Sequence, residues 1–188
     1  MILPIYLYGS KVLREKAEPV DLQNEDHAAL TELLNNMQET MKHADGCGIA
    51  APQVGVSKRM LIVDGSDLTE KYPELKDFYR RMINPEVISS SEETSEYSEG
   101  CLSVPDVDAD IVRPKTITVR YYDADFELRE ETFDDFASRM VQHELDHLDG
   151  IVFTDRASAI RKKLISGKLH SISKGKINTR YKVKLDNK

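Results

Sequence analysis

Thr132-Phe-Asp-Asp-Phe-Ala-Ser-Arg-Met-Val-Gln-His-Glu-Leu-Asp-His-Leu-Asp-Gly150 carries the clearest structural signal in this 188-residue chain. It predicts a helix over residues 133–149, with Thr132 as cap, Asp135 at the capping-box position, Asp134 and Asp135 suited to the positive end of the helix dipole, and Gly150 as the stop. Inside it lies His143-Glu-Leu-Asp-His147, the pattern H-E-x-x-H. Residues four apart on a helix differ by about 40° in azimuth, so both imidazoles share one face and can bind one metal ion, with Glu144 in reach of the ion's water. Phe136 and Met140 fall on the same stripe and turn the pair inward. The bland alternative is two core or solvated histidines that match the pattern by chance.

Outward from this helix the chain reads as strands with few helices. Leu30, Leu33, Leu34, Met37 and Met41 recur at helical spacing over residues 25–42, after the possible cap Asn24 and before Gly46. Met60 to Val63 is a short apolar strand closed by Asp64-Gly65, and residues 65–81 read as a polar surface excursion of modest helical content. Residues 82–89 read as a strand interrupted near Pro85, and 89–96 as a loop or exposed edge. Residues 116–122 and 126–133 alternate as a hairpin around Asp123-Ala-Asp125. A last helix is expected over residues 156–167. Strands interspersed with two or three helices, without a βαβ rhythm, predict an α+β domain.

A catalytic metal site needs a third protein ligand and leaves one position open. The extended protease motif would place a histidine at 153, where Phe153 stands, and Glu144 is the last glutamate of the chain. Asp149, Asp155, Asp186 and His170 lie downstream without a supporting pattern. The two cysteines remain: Cys101, in Glu99-Gly-Cys-Leu-Ser-Val-Pro105, where Gly100 permits unusual backbone geometry, and Cys47, between two glycines. Cys101 is slightly favoured, and a buried inert thiol is the alternative for either. The segment Gly46-Cys-Gly-Ile-Ala-Ala-Pro-Gln-Val-Gly55 matches a dinucleotide pattern, but a helix rather than a strand precedes it and Pro52 would interrupt the helix that should follow. It reads either as a helix stop with an extended segment, or as a strand whose glycines admit a peptide-like ligand beside the Gln53 amide.

Composition sets the outer bounds. At this length a single domain builds an ordinary core, so two cysteines need no disulfide framework. No run approaches the ~18 apolar residues of a membrane span, and the start lacks a basic segment and carries Pro4, so a cytoplasmic location without membrane is expected. The formal charge of −7 is uneven: residues 156–188 hold eleven Lys and Arg against Asp186, a balance of +10, which leaves −17 for residues 1–155.

Three segments together carry a resemblance. Gly46-Cys-Gly-Ile-Ala-Ala-Pro-Gln53, Glu99-Gly-Cys-Leu-Ser103 and Gln142-His-Glu-Leu-Asp-His147 resemble the three signature motifs of the peptide deformylase family, in order and at similar separations. The resemblance covers residues 1–155, the expected catalytic domain, and leaves 156–188 as a basic C-terminal helix and tail. It implies an α+β fold with antiparallel sheets wrapped around a central helix that bears the metal motif. It implies a metallo-hydrolase that removes the formyl group from formyl-methionine of nascent polypeptides and releases formate. By similarity Cys101, His143 and His147 are metal ligands, Glu144 is the general acid/base, Gln53 and the Leu102 N–H form the oxyanion site, and Gly48 and Gly100 border the substrate. The family implies ferrous iron in the cell, with zinc, nickel or cobalt able to take its place. Arg113 is expected to pair with Glu99, and Asp146 to support the site from behind the ligands. The basic end reads either as a solvated helix and tail or, from the family's association with the ribosome, as a ribosome contact. The rivals are a peptidase or amidase using the same dyad, a structural metal module recruiting Cys47 as fourth ligand, and, least supported, a dinucleotide enzyme.

Overall fold

Two helices enclose a five-stranded sheet, and the apolar spacing of each shows why. In a computed structural model that describes residues 1–186, the elements in chain order are β1 (Ile5–Tyr6), α1 (His27–His43), β2 (Gly48–Ala50), β3 (Met60–Asp64), β4 (Tyr79–Ser90), β5 (Thr94–Cys101), β6 (Val104–Pro114), β7 (Ile117–Tyr122), β8 (Leu128–Phe133), α2 (Asp135–Leu148), α3 (Ala159–Ser173) and β9 (Val183–Lys184). The sheet is antiparallel in the order β2-β3-β4-β7-β8. On one face Ile49, Met60, Ile62 and Ile83 pack against Leu30, Leu34, Met37 and Met41 of α1. On the other, Leu61, Val63, Met82 and Val119 pack against Met140, Val141, Leu145 and Leu148 of α2. Side chains alternate between the faces of a strand, so a strand covered on both sides must be apolar where it is covered, as Met60 to Val63 of β3 are.

A second layer is the antiparallel hairpin β5-β6, whose inner residues Val104, Val107, Ala109 and Ile111 pack with Val152, Phe153 and, from α3, Ile165 and Ile172. The chain closes on itself where β9 pairs in parallel with β1. The mixture of helices and antiparallel sheets is α+β, and no helix among the described residues is long and apolar enough to cross a membrane. Asn187 and Lys188 of the basic end lie outside the described residues.

Several boundaries differ from the sequence expectation, each for a local reason. α1 is capped by Asp26, which accepts from Ala28 N (2.9 Å), because Asn24 is held in the preceding turn by the Asp21 carboxylate. Thr132 is not the cap of α2: it is paired with Thr118 in β8, and Asp134 takes the capping position. α3 starts after Ser158, whose hydroxyl accepts from Arg161 N, and runs on past Gly167. Residues 65–81 form two short 3-10 turns, Ser66–Leu68 and Pro73–Leu75, and bury Leu75 and Phe78, so they are core as well as surface. β6, with its outward-facing Asp106, Asp108 and Asp110, was not expected as a strand.

The expected interruption near Pro85 is a bulge inside a longer β4. Its cause is Asn84, which adopts φ +51° and exchanges two hydrogen bonds with the Val20 backbone, both 2.8 Å. Asn84→Ala should therefore cost about 2–4 kcal/mol, combining two lost bonds with a left-handed backbone that a Cβ disfavours. Urea unfolding checks this: Asn84→Gly should recover roughly 1 kcal/mol of the loss, and equal losses would show that the bonds alone set the cost.

Candidate active site

Cys101 ends β5, immediately before the two-residue turn Leu102-Ser103 that leads to Val104. His143 and His147 sit one turn apart on α2, and the ligating atoms of the three side chains all lie within 4.8 Å of one another. Cys101 Sγ is 3.2 Å from His147 Nε2. Cys47 is not in this cluster. Burial and the nearby Glu144 push its thiol up to about 11. Three convergent donors of sulfur and imidazole type are what a single divalent ion of the zinc or iron kind requires, with a coordination position left over.

The donors are held by a buried network of charges. Glu99 accepts from Arg113 Nε (2.6 Å) and Nη2 (2.9 Å), from Arg139 Nη1 (2.8 Å), and lies 2.9 Å from His143 Nδ1. Burial opposes its charge, but Arg113 and His143 prevail and hold the carboxyl well below the usual range. The contact to Nδ1 leaves Nε2 of His143 free for a metal. Phe153, standing where the extended protease motif has a histidine, stacks on the His143 ring instead (5.9 Å). Arg113 also donates to Asp146 (2.7 Å), which accepts two further bonds from Arg156. Burial disfavours charge on both imidazoles. Bonds to Cys101 and Glu99 outweigh it at His143 and raise its pKa well above normal, while burial and His143 hold His147 well below.

Glu144 is 5% exposed, and burial raises its carboxyl to about 7. Its Oε2 has no hydrogen-bond partner among the described residues, and its Oε1 lies so close over Gly48 that a Cβ there would overlap it. Gly48 is thus a cradle for the carboxylate. Gln53 lies in the 3-10 turn Ala51–Val54, where its Oε1 accepts from Ala50 N (2.8 Å). This fixes the amide so that Nε2 donates toward Cys101 Sγ (3.4 Å) and Ser103 Oγ (3.2 Å). Gly48, Gln53, Cys101, His143 and Glu144 line a cleft of about 550 Å³, together with Gly100 and Leu102. Gly100 has no positive φ, and a Cβ there would meet only Val107 O at 3.6 Å, so its backbone is that of an ordinary strand residue.

A family model for polypeptide deformylase matches residues 2–163. The chain belongs to the peptide deformylase family. It is 45% identical to the peptide deformylase of Christiangramia forsetii, over all of this chain and 97% of that one. It is 46% identical to that of Chlorobium phaeobacteroides, over 97% and 95%. Among solved structures, a class I type b peptide deformylase from Acinetobacter baumannii superposes with a TM-score of 0.76 at 38% identity, covering 83% of this chain and 99% of its own. The peptide deformylase of Plasmodium falciparum gives 0.80 at 31%, covering 91% and 95%. As a deformylase, the chain hydrolyses the N-terminal formyl group of nascent polypeptides with the help of a single metal ion.

Sequence reasoning missed Arg139 and Ser103. Arg139 could have been found, because it stands four residues before His143 on the same helical stripe as the ligands; Ser103 has no comparable signal. Arg113→Ala would leave Glu99 and Asp146 short of a cation in a region where Arg113 itself is 3% exposed. A loss of about 3–5 kcal/mol in urea unfolding is expected, far more than the ~1 kcal/mol of a surface pair.

Proposed function

We propose that Cys101, His143 and His147 hold the metal, ferrous iron in the cell with zinc, nickel or cobalt as substitutes, and that Glu144, Gln53 and Leu102 carry the deformylation. The observation that supports this most is the combination of three donors, rather than four, with a buried, half-unpartnered carboxylate beside them. A structural module would have needed Cys47 as the fourth ligand. The cation supplies Lewis acidity, making water acidic enough to act as a nucleophile near neutral pH and polarising the carbonyl.

Glu144 takes the proton as water oxygen adds to the formyl carbon. The electron pair of the C=O bond moves to the formyl oxygen, where Gln53 Nε2–H and the Leu102 N–H donate. Removing one such donor typically costs ~10²–10³ in rate. The C–N bond then breaks, Glu144 returns the proton to the departing amine, and the products are formate and a free methionyl N-terminus. Gly48 and Gly100 flank the formyl-methionyl group, and Arg113, Glu99 and Asp146 keep the ligands in place. Residues 1–155 carry this chemistry. The reaction belongs in the cytoplasm, where translation supplies the substrate.

After anaerobic purification, metal analysis should find about one ion per chain, and formyl-Met-Ala should release formate while unformylated peptides are left intact. Glu144→Ala should keep the ion and lose at least about 10²-fold in kcat. Full turnover in that variant would remove Glu144 from the mechanism, and cleavage of unformylated peptides would favour a peptidase.

For the basic end, we infer a contact with the ribosome near the emerging chain. Its support is the outer surface of α3, where Ile160 and Leu164 are 76% and 72% exposed beside exposed Lys162 and Lys163. Reversing both lysines to Glu in the full-length chain should weaken co-sedimentation with ribosomes and flatten its salt dependence. Binding unaltered at two salt concentrations would leave α3 as a solvated surface.

A further inference from the structure

The family model ends at residue 163, yet the chain beyond it returns to the catalytic cleft. After α3 the tail is fastened at three points. β9 pairs with β1, Ile5 opposite Val183 and Tyr6 opposite Lys184. The Asp186 carboxylate accepts from the backbone N–H groups of Lys11 (2.6 Å) and Val12 (3.2 Å). The Tyr181 hydroxyl donates to the carbonyl of Leu102 (2.7 Å), in the turn after Cys101. The Thr179 hydroxyl donates to the Tyr181 carbonyl (2.7 Å) and tightens the bend between them. Residues 178–181 are thus a pinned wall of the same cleft that holds Gly48, Cys101 and Glu144.

Two arginines line that cleft. Arg139 is taken up by Glu99, Ser95 and the Ile111 carbonyl. Arg180, at the tip of the bend, is exposed and has no ion pair or side-chain hydrogen bond among the described residues. The formyl-methionyl group is engaged deep in the cleft by uncharged donors and Glu144, so a guanidinium at the exposed edge acts on the peptide residues beyond the methionine. A planar guanidinium is matched by a carboxylate, which it binds through two parallel bonds. Asp45 and Asp106 line the same cleft, Asp106 with Lys168 4.0 Å away, and the −17 of residues 1–155 adds to the negative field that a carboxylate there would meet. Of the two arginines that line the cleft, Arg180 is the one whose guanidinium is left open to a carboxylate.

We propose that Arg180 is a specificity-determining residue that recognises a carboxylate carried by the formylated peptide on the C-terminal side of its methionine. This rests on the chain's deformylase activity.

The test compares kcat/KM for formyl-Met-Ala-Glu-amide and formyl-Met-Ala-Gln-amide, and for formyl-Met-Ala as free acid and as amide, in the full-length metal-loaded enzyme. The first pair reads a side-chain carboxylate and the second a terminal one. An exposed ion pair predicts a preference of about two- to five-fold for the carboxylate form, expressed in KM. Arg180→Ala should abolish that ratio, Arg180→Lys should retain part of it, and Arg180→Glu should shift preference to formyl-Met-Ala-Lys-amide. A response of either pair supports carboxylate recognition and identifies its source. Ratios unaltered in all three variants overturn the proposal, as does an equal loss on every peptide in Arg180→Ala, which would make the residue structural. Failure of the wild-type enzyme to release formate from any peptide is a separate result that removes the activity itself.

Discussion

The Glu99 carboxylate is the point on which the site's geometry depends. Around it the charges alternate from Arg139 through Glu99 and Arg113 to Asp146 and Arg156, joining β5, β6, α2 and the segment after α2. Burying such groups costs several kcal/mol each before their mutual attraction is counted, so the network is a poor source of net stability. What it supplies is register. Glu99 and Cys101 stand two apart on one strand and so share a face, while Arg139, His143 and Asp146 share one stripe of a helix. Fixing Glu99 to Arg139 and His143 therefore fixes Cys101 against the two imidazoles, and the three side chains converge because the charges behind them are paired.

Much of this was legible in the sequence where one residue type has one good use. The H-E-x-x-H spacing placed two donors on a face of a helix without any fold, and the apolar periodicity of α1 and the uninterrupted Met60 to Val63 placed the sheet's core. The third donor was not decidable by spacing, since Cys47 and Cys101 both stand beside glycines. Only the β5-β6 hairpin, invisible as a strand pair because aspartates alternate with small apolar residues in β6, brings Cys101 to α2. Thr132 misled as a cap because a β-branched residue serves equally well in a strand, and pairing with Thr118 decided between the two. Asn84-Pro85 gave the right signal of an interruption but not its form, because the side-chain bonds to Val20 that permit strand continuation join residues 64 apart.

Gly48 shows how tightly the chemistry is bound to the fold. It lies in β2, so its backbone belongs to the sheet that packs on α2, and Glu144 projects from α2 onto the space that a side chain would fill. The Glu144 carboxylate is thereby seated on a strand backbone while one of its oxygens stays without a partner among the described residues. A hydrogen-bonded, exposed carboxylate would remain ionised well below neutrality; burial without that second bond is what lifts it to about 7. The dinucleotide-like glycine pattern is explained by this seat rather than by a phosphate.

The cleft thus combines parts of unequal firmness. Its floor is made of residues from α2, β2 and β5, most of whose polar atoms are tied into the sheet or into the Glu99 network, with Glu144 Oε2 among the exceptions. Its tail wall hangs on a two-residue strand, one tyrosine hydroxyl and one carboxylate cap, and elements with so few buried contacts open at much lower free energy than the core. A substitution in the floor disturbs Cys101, the two imidazoles, Glu144 and the fold together. A substitution at Arg180, whose side chain makes no bond among the described residues, leaves the Tyr181 and Thr179 bonds and the floor intact, so the tail wall can change at this position without disturbing the residues around Cys101 and Glu144.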